Sequence, residues 1–182
     1  MTRNEKKFYR LIEWAENTFG LKTIVHWHKS KKDYKWAGEC GGGKIKLNCA
    51  NRKYINWTMM ILTLAHEIGH HVDDLKMKNK DLSAHSYLDE DNKYIPIWAR
   101  KVIINHEIKA NSYIEHVLEQ AGIKVSRSKI AYDCEECIWT YAHLLSNKGR
   151  YPTYEQTDVW RRENRNKYYK PYSRNKNAKK NS

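Results

Sequence analysis

Asn56-Trp57-Thr58-Met59-Met60-Ile61-Leu62-Thr63-Leu64-Ala65-His66-Glu67-Ile68-Gly69-His70-His71-Val72-Asp73-Asp74-Leu75 is the stretch from which the rest of the chain is read. Ile61, Leu64, Ala65, Ile68, Val72 and Leu75 recur at three- and four-residue intervals, which predicts an amphipathic helix with one face in a core. On that helix His66 and His70 stand one turn apart and project from nearly the same side, so two imidazoles can bind one metal ion. Glu67 lies between them. A zinc ion held by three protein ligands keeps a fourth position for water and lowers that water's pKa toward ~7. A neighbouring carboxylate can then take the proton and hand it to a departing amine. His66-Glu67-Ile68-Gly69-His70 thus offers two ligands and a general base. The alternative is a helix with two ordinary histidines, but so apolar a run sets the motif beside a core, where unpaired imidazoles and carboxylates are costly. Gly69, a poor helix former, makes sense if another segment approaches closely there.

A second long helix is predicted from about Pro96, with Gly122 closing it. Ile103, Glu107, Ala110, Ile114, Leu118 and Ala121 share one face. A glutamate within an apolar stripe demands a partner, and the metal is one. Glu107 is therefore the third candidate ligand. Its alternatives are a salt bridge to Arg100, Lys101 or Lys109, or His106 as ligand in its place, roughly 100° further round the helix. Asn111, one turn beyond Glu107, is placed to hydrogen-bond a ligand histidine and fix its ring.

The two motifs together, Leu62-Thr63-Leu64-Ala65-His66-Glu67-Ile68-Gly69-His70 and Glu107-Ile108-Lys109-Ala110-Asn111, resemble those of the ImmA/IrrE-type zinc metallopeptidases of bacteria and their phages. These belong with the broader group, thermolysin-like enzymes included, in which a glutamate from a second helix completes the zinc site. The resemblance covers roughly residues 5 to 125. It implies a zincin-like metallopeptidase with one zinc on His66, His70 and Glu107, Glu67 as general base, Asn111 behind the ligands, and a protein or peptide substrate, by analogy a regulatory or DNA-associated protein. The second motif continues here as Tyr113-Ile114-Glu115-His116-Val117-Leu118, more polar than the segment ending in Met-Pro that family members often carry.

Upstream, Phe8, Leu11, Ile12, Ala15 and Phe19 predict a helix from Asn4 to Phe19 stopped by Gly20. Lys22 to His28 and Tyr34 to Cys40 read as strands, Gly41-Gly42-Gly43 as a sharp reversal, and Lys44 to Asn48 as a half-buried strand whose lysines suit a sheet edge. Such an edge beside the metal can hold a peptide by strand addition. His26 and His28 are taken as surface or packing residues. Residues 76 to 94 read as a long solvated loop carrying His85 and Asp89-Glu90-Asp91. The fold expected is α+β: an N-terminal helix, a small three-stranded mostly antiparallel sheet, the motif helix and two further core helices.

The last of these helices is predicted over 130–146, with Ile130, Cys134, Cys137, Ile138, Tyr141, Leu144 and Leu145 as apolar positions. Cys134 and Cys137 have ligand spacing, though free thiols are the simpler reading. Tyr113, His116, Tyr132 and His143 are candidates to steady a developing oxyanion. One domain over 1–150 is expected, followed by a basic, flexible tail over 151–182 in which Arg161, Arg162, Arg165, Lys167 and Lys170 alternate with Tyr168, Tyr169 and Tyr172. That tail and the formal net charge of +13 suit a nucleic-acid partner. With 40% apolar residues and a mean hydropathy of -0.92, the 182-residue chain supports one core and no membrane span. No apolar segment follows the start, so a cytoplasmic place is expected, in the host cell if the gene is carried by a phage. The competing reading is a nucleic-acid-binding regulatory or phage assembly protein with a structural, non-cleaving zinc site.

Overall fold

The computed structural model describes residues 1–28, 38–49, 55–75, 83–88, 95–147 and 152–168. In chain order these form α1 (Arg3–Phe19), β1 (Lys22–Trp27), β2 (Gly38–Gly41), β3 (Lys44–Cys49), α2 (Trp57–Asp74), a 3-10 segment (Ser83–Leu88), α3 (Ile97–Gln120), α4 (Arg127–Ser146) and α5 (Tyr154–Tyr168). The class is α+β, as expected.

The N-terminal helix owes its start to a reciprocal cap. The Glu5 backbone N–H donates to Thr2 Oγ1 at 3.2 Å while the Glu5 carboxylate accepts from the Thr2 N–H at 3.1 Å, which satisfies a carboxylate that is otherwise buried. Gly20, at φ 68°, ends the helix with its N–H on the Glu16 carbonyl. Phe8, Leu11 and Ala15 face the core.

The sheet has the order β1-β3-β2, with β1 parallel and β2 antiparallel to β3, so it is mixed. Gly42 and Gly43, both at positive φ, turn the β2–β3 hairpin. The expected edge strand is corrected: β3 is central, because Ile45, Leu47, Asn48 and Cys49 are buried and both of its sides are paired. Its lysines mark the solvent face of the sheet, where Lys46 Nζ meets Glu39 across the β2 pairing at 3.4 Å. The edge that reaches α2 is β2. Of the expected second strand, the part over 34–37 lies outside the described residues.

Helix α2 is the central element, packed against α1, α3, α4, β2 and β3. Asn56 caps it, its Oδ1 accepting from the Thr58 and Met59 N–H groups. Its buried set, including Ile61, Leu64, Ala65 and Ile68, joins Phe8, Leu11, Ile45, Leu47, Ile114 and Leu118 in one core. Leu75 does not extend that stripe: the helix stops before it and its side chain is 72% exposed. A second, smaller core gathers Ala84, Ile95, Ala99, Ile103 and Leu145 around the 3-10 segment. The rest of the expected loop, with Asp89-Glu90-Asp91, lies outside the described residues.

The expectation of a flexible tail gives way over Tyr154–Tyr168, which is helix α5 docked on α4. The indole of Trp160 stacks on Trp139 with centroids 5.6 Å apart, and Arg161 Nε donates to Glu136 Oε1 at 3.0 Å. Aromatic stacking, which a reading by charge overlooks, fastens this segment. Residues 169–182 lie outside the described set. No described helix is long and apolar enough to cross a membrane.

Candidate metal centre

The site forms where α2 and α3 cross at van der Waals distance. A Cβ on Gly69 would overlap the Ala110 carbonyl oxygen and stand 3.0 Å from its carbonyl carbon, so only glycine allows the crossing. This contact brings the motif histidines to the glutamate one turn before Ala110.

His66 Nε2 and His70 Nε2 lie 2.9 Å apart, and Glu107 Oε2 stands 3.1 Å from the first and 3.5 Å from the second. Ligands at roughly 2.0–2.1 Å in a tetrahedron are about 3.3 Å from one another, so this triangle has the size of one tetrahedral face around a zinc-sized ion. Proton placement agrees with that use. His66 Nδ1 is 2.9 Å from Asn111 Oδ1 and donates to it, so that Nε2 is the nitrogen left to a metal once the ring has given up its second proton. Cys137 extends the cluster: its Sγ is 3.6 Å from Glu107 Oε2, and the ligand atoms of His66, Glu107 and Cys137 lie within 4.8 Å of one another. The group could hold a metal ion.

The salt bridges offered as alternatives for Glu107 are not made, since Lys109 turns to Asp73 at 3.7 Å and Arg100 Nε donates to the Ile95 carbonyl at 2.7 Å. His106 stands behind the site. Its Nε2 is 3.2 Å from His70 Nδ1 and 3.0 Å from Asp74 Oδ1, and its Nδ1 is 2.8 Å from His85 Nε2. His85, expected in a solvated loop, thereby supports the residue that touches a ligand histidine. On the strands, His26 is exposed and His28 bonds Asn48 at 2.7 Å.

Charge is tightly coupled here. Burial opposes a charged His66, but Glu107, aided by Glu67 and Asn111, pushes its pKa up to about 9. Burial, His66 and His106 hold His70 below the usual imidazole range against the pull of Glu107. For Glu107, burial is outweighed by the two imidazoles, which keep it well below the carboxylate range. Burial, then repulsion from Glu107 and Glu39, push Glu67 up to about 7 despite the attraction of His66.

Glu67 lies against β2: a Cβ on Gly38 would stand 2.5 Å from Glu67 Oε1, so glycine at that strand position makes room for the carboxylate. The carboxylate opens on a cleft of about 220 Å³ lined by His66, Glu67, Asn111, Asp133, Cys137 and Tyr141, among others. Burial and the neighbouring Glu136 push Asp133 up to about 7. The four residues considered for an oxyanion role, Tyr113, His116, Tyr132 and His143, do not line this cleft, whereas Tyr141 does. Asp133, Cys137 and Tyr141 succeed one another at four-residue steps on α4, a spacing that could have identified them together as one face. The Cys134/Cys137 pair is split, Cys134 packing on the core and Cys137 facing Glu107.

Comparisons with family models, curated proteins and solved structures find no match to this chain.

Proposed function

We propose that this chain is a zinc-dependent metallopeptidase, a hydrolase in which His66, His70 and Glu107 hold one zinc ion and Glu67 is the general base. The observation that carries the reading is the His66–His70–Glu107 triangle, sized as a tetrahedral face, with the separate Glu67 carboxylate beside it against Gly38. When bound, zinc supplies a Lewis acid for the peptide carbonyl and lowers the pKa of water toward ~7. Glu67 takes the proton of the attacking water and returns it to the departing nitrogen. Asn111 fixes the His66 ring, and His106 fixes that of His70. Strand β2, with no second strand partner among the described residues, offers main-chain groups to an extended peptide beside Glu67. The resemblance in sequence favours a regulatory or DNA-associated protein as substrate.

Elemental analysis of the purified protein tests the ligands. About one zinc per chain is expected in wild type, lost or much reduced in His66→Ala and Glu107→Ala. Zinc unaffected by either change would sink the reading. A second expectation concerns pH. With its pKa at about 9, His66 carries a proton at neutral pH in the metal-free chain, and an entering metal must displace it. Apparent zinc affinity should therefore rise with pH up to about 9 and weaken on acidification. An affinity that stays flat over that interval contradicts the assignment of His66.

One observation favours the competing reading, a zinc site retained for structure in a binding or assembly protein: the thiol of Cys137 joins His66 and Glu107 in a group that could hold a metal ion.

A further inference from the structure

We propose that Cys137 is a displaceable fourth ligand that keeps the metal site closed, so that the chain folds as a latent enzyme. The inference rests on the metal-site reading and deepens it. Zinc–sulfur bonds of ~2.3 Å and zinc–oxygen bonds of ~2.0–2.2 Å, set at the tetrahedral angle, put sulfur and oxygen about 3.6 Å apart. Cys137 Sγ stands 3.6 Å from Glu107 Oε2, and it is within 4.8 Å of the His66 ligand atom. It reaches the site from α4, whereas the other three donors come from α2 and α3.

A thiol bound there would take the position that an attacking water needs. It lines the cleft that holds Glu67, the side from which a peptide must enter. Catalytic zinc sites keep one position open and structural sites fill all four, so a cysteine in that place decides between the two states.

The surroundings hold α4 in the closed position from two directions. Asn111, which fixes His66 through Oδ1, donates from Nδ2 to the Cys134 carbonyl at 3.4 Å, one turn before Cys137. On the outer side Arg161 grips Glu136, the neighbour of Cys137, and Trp160 stacks on Trp139. Opening is a ligand substitution with no redox change: the thiolate leaves, takes up a proton from solvent, and its place becomes available to water. A shift of α4, or capture of the thiol by another group, achieves this.

Cobalt(II) loaded into the full chain in place of zinc tests the inference by absorption. Wild type is expected to show a thiolate-to-cobalt charge-transfer band in the near ultraviolet. Cys137→Ala should keep the cobalt and lose the band, and Cys134→Ala should keep both. Peptide hydrolysis by zinc-loaded Cys137→Ala should exceed that of wild type. Cobalt bound by wild type without the band overturns the proposal and leaves the metal site standing, whereas no cobalt bound at all overturns the site itself. Equal hydrolysis rates for wild type and Cys137→Ala overturn latency. Should Cys137→Ala fail to fold, labelling of wild type by a thiol reagent decides: metal is expected to protect Cys137, and equal labelling with and without metal overturns the proposal.

Discussion

Glu67→Gln is expected to lower peptide hydrolysis by roughly 10²–10⁴-fold, the contribution of a positioned acid–base group, while the metal content stays at the wild-type level. Glutamine has the shape of glutamate, so it fits the space that Gly38 leaves between β2 and α2. It cannot take a proton from water. Because Glu67 is not one of the three donors proposed for the metal, its replacement should remove chemistry without removing the ion. The comparison should be made in wild type and in Cys137→Ala, so that a closed site does not hide the effect under a low starting rate. Hydrolysis unchanged in a metal-loaded Glu67→Gln protein would remove Glu67 from the reaction and the enzyme reading with it. A binding or assembly protein with a structural zinc would be indifferent to the same change.

Much of this site could be read in the sequence because it is written in helical spacing. His66 and His70 are four positions apart, as are Glu107 and Asn111, so each pair shares a face whatever the rest of the fold does. Glu107 announced itself by standing in an apolar stripe, and it is buried against the two imidazoles. Gly69 marked the close crossing by its poor helix propensity alone. What could not be read depends on segments that meet only in the fold. Gly38 serves Glu67 from another element, and nothing local to either residue says so. His85 reaches His106 across the unpatterned stretch between α2 and α3. Cys137 carried an ambiguous signal: its spacing from Cys134 suggested a pair, but its partners lie on α2 and α3. The central place of β3 was obscured because alternation reports which face is buried and does not report which edges are paired. For α5, charge suggested a free tail, and the aromatic contacts of Trp160 decided otherwise.

Gly69→Ala should destabilise the fold and empty the metal site together. The added Cβ meets backbone atoms of Ala110, 3.0 Å from the carbonyl carbon and 3.1 Å from Cα, which no side-chain rotation can move aside. Overpacking of this kind costs typically ~1–3 kcal/mol, against which alanine returns up to about 1 kcal/mol through its better helix propensity. A net loss of roughly 1–2 kcal/mol lowers Tm by about 2–8 °C in a chain of this length. Relief can come only by parting α2 from α3, and those are the helices that carry the imidazoles and the carboxylate. Metal affinity must therefore fall with stability. Ala110→Gly in the same background should not rescue either property, because the clash is with the main chain and the Ala110 methyl plays no part in it. Thermal unfolding and zinc content of the single and double variants check this. An unchanged Tm with full metal content in Gly69→Ala would mean that the helices do not cross this closely and that something else brings Glu107 to the histidines.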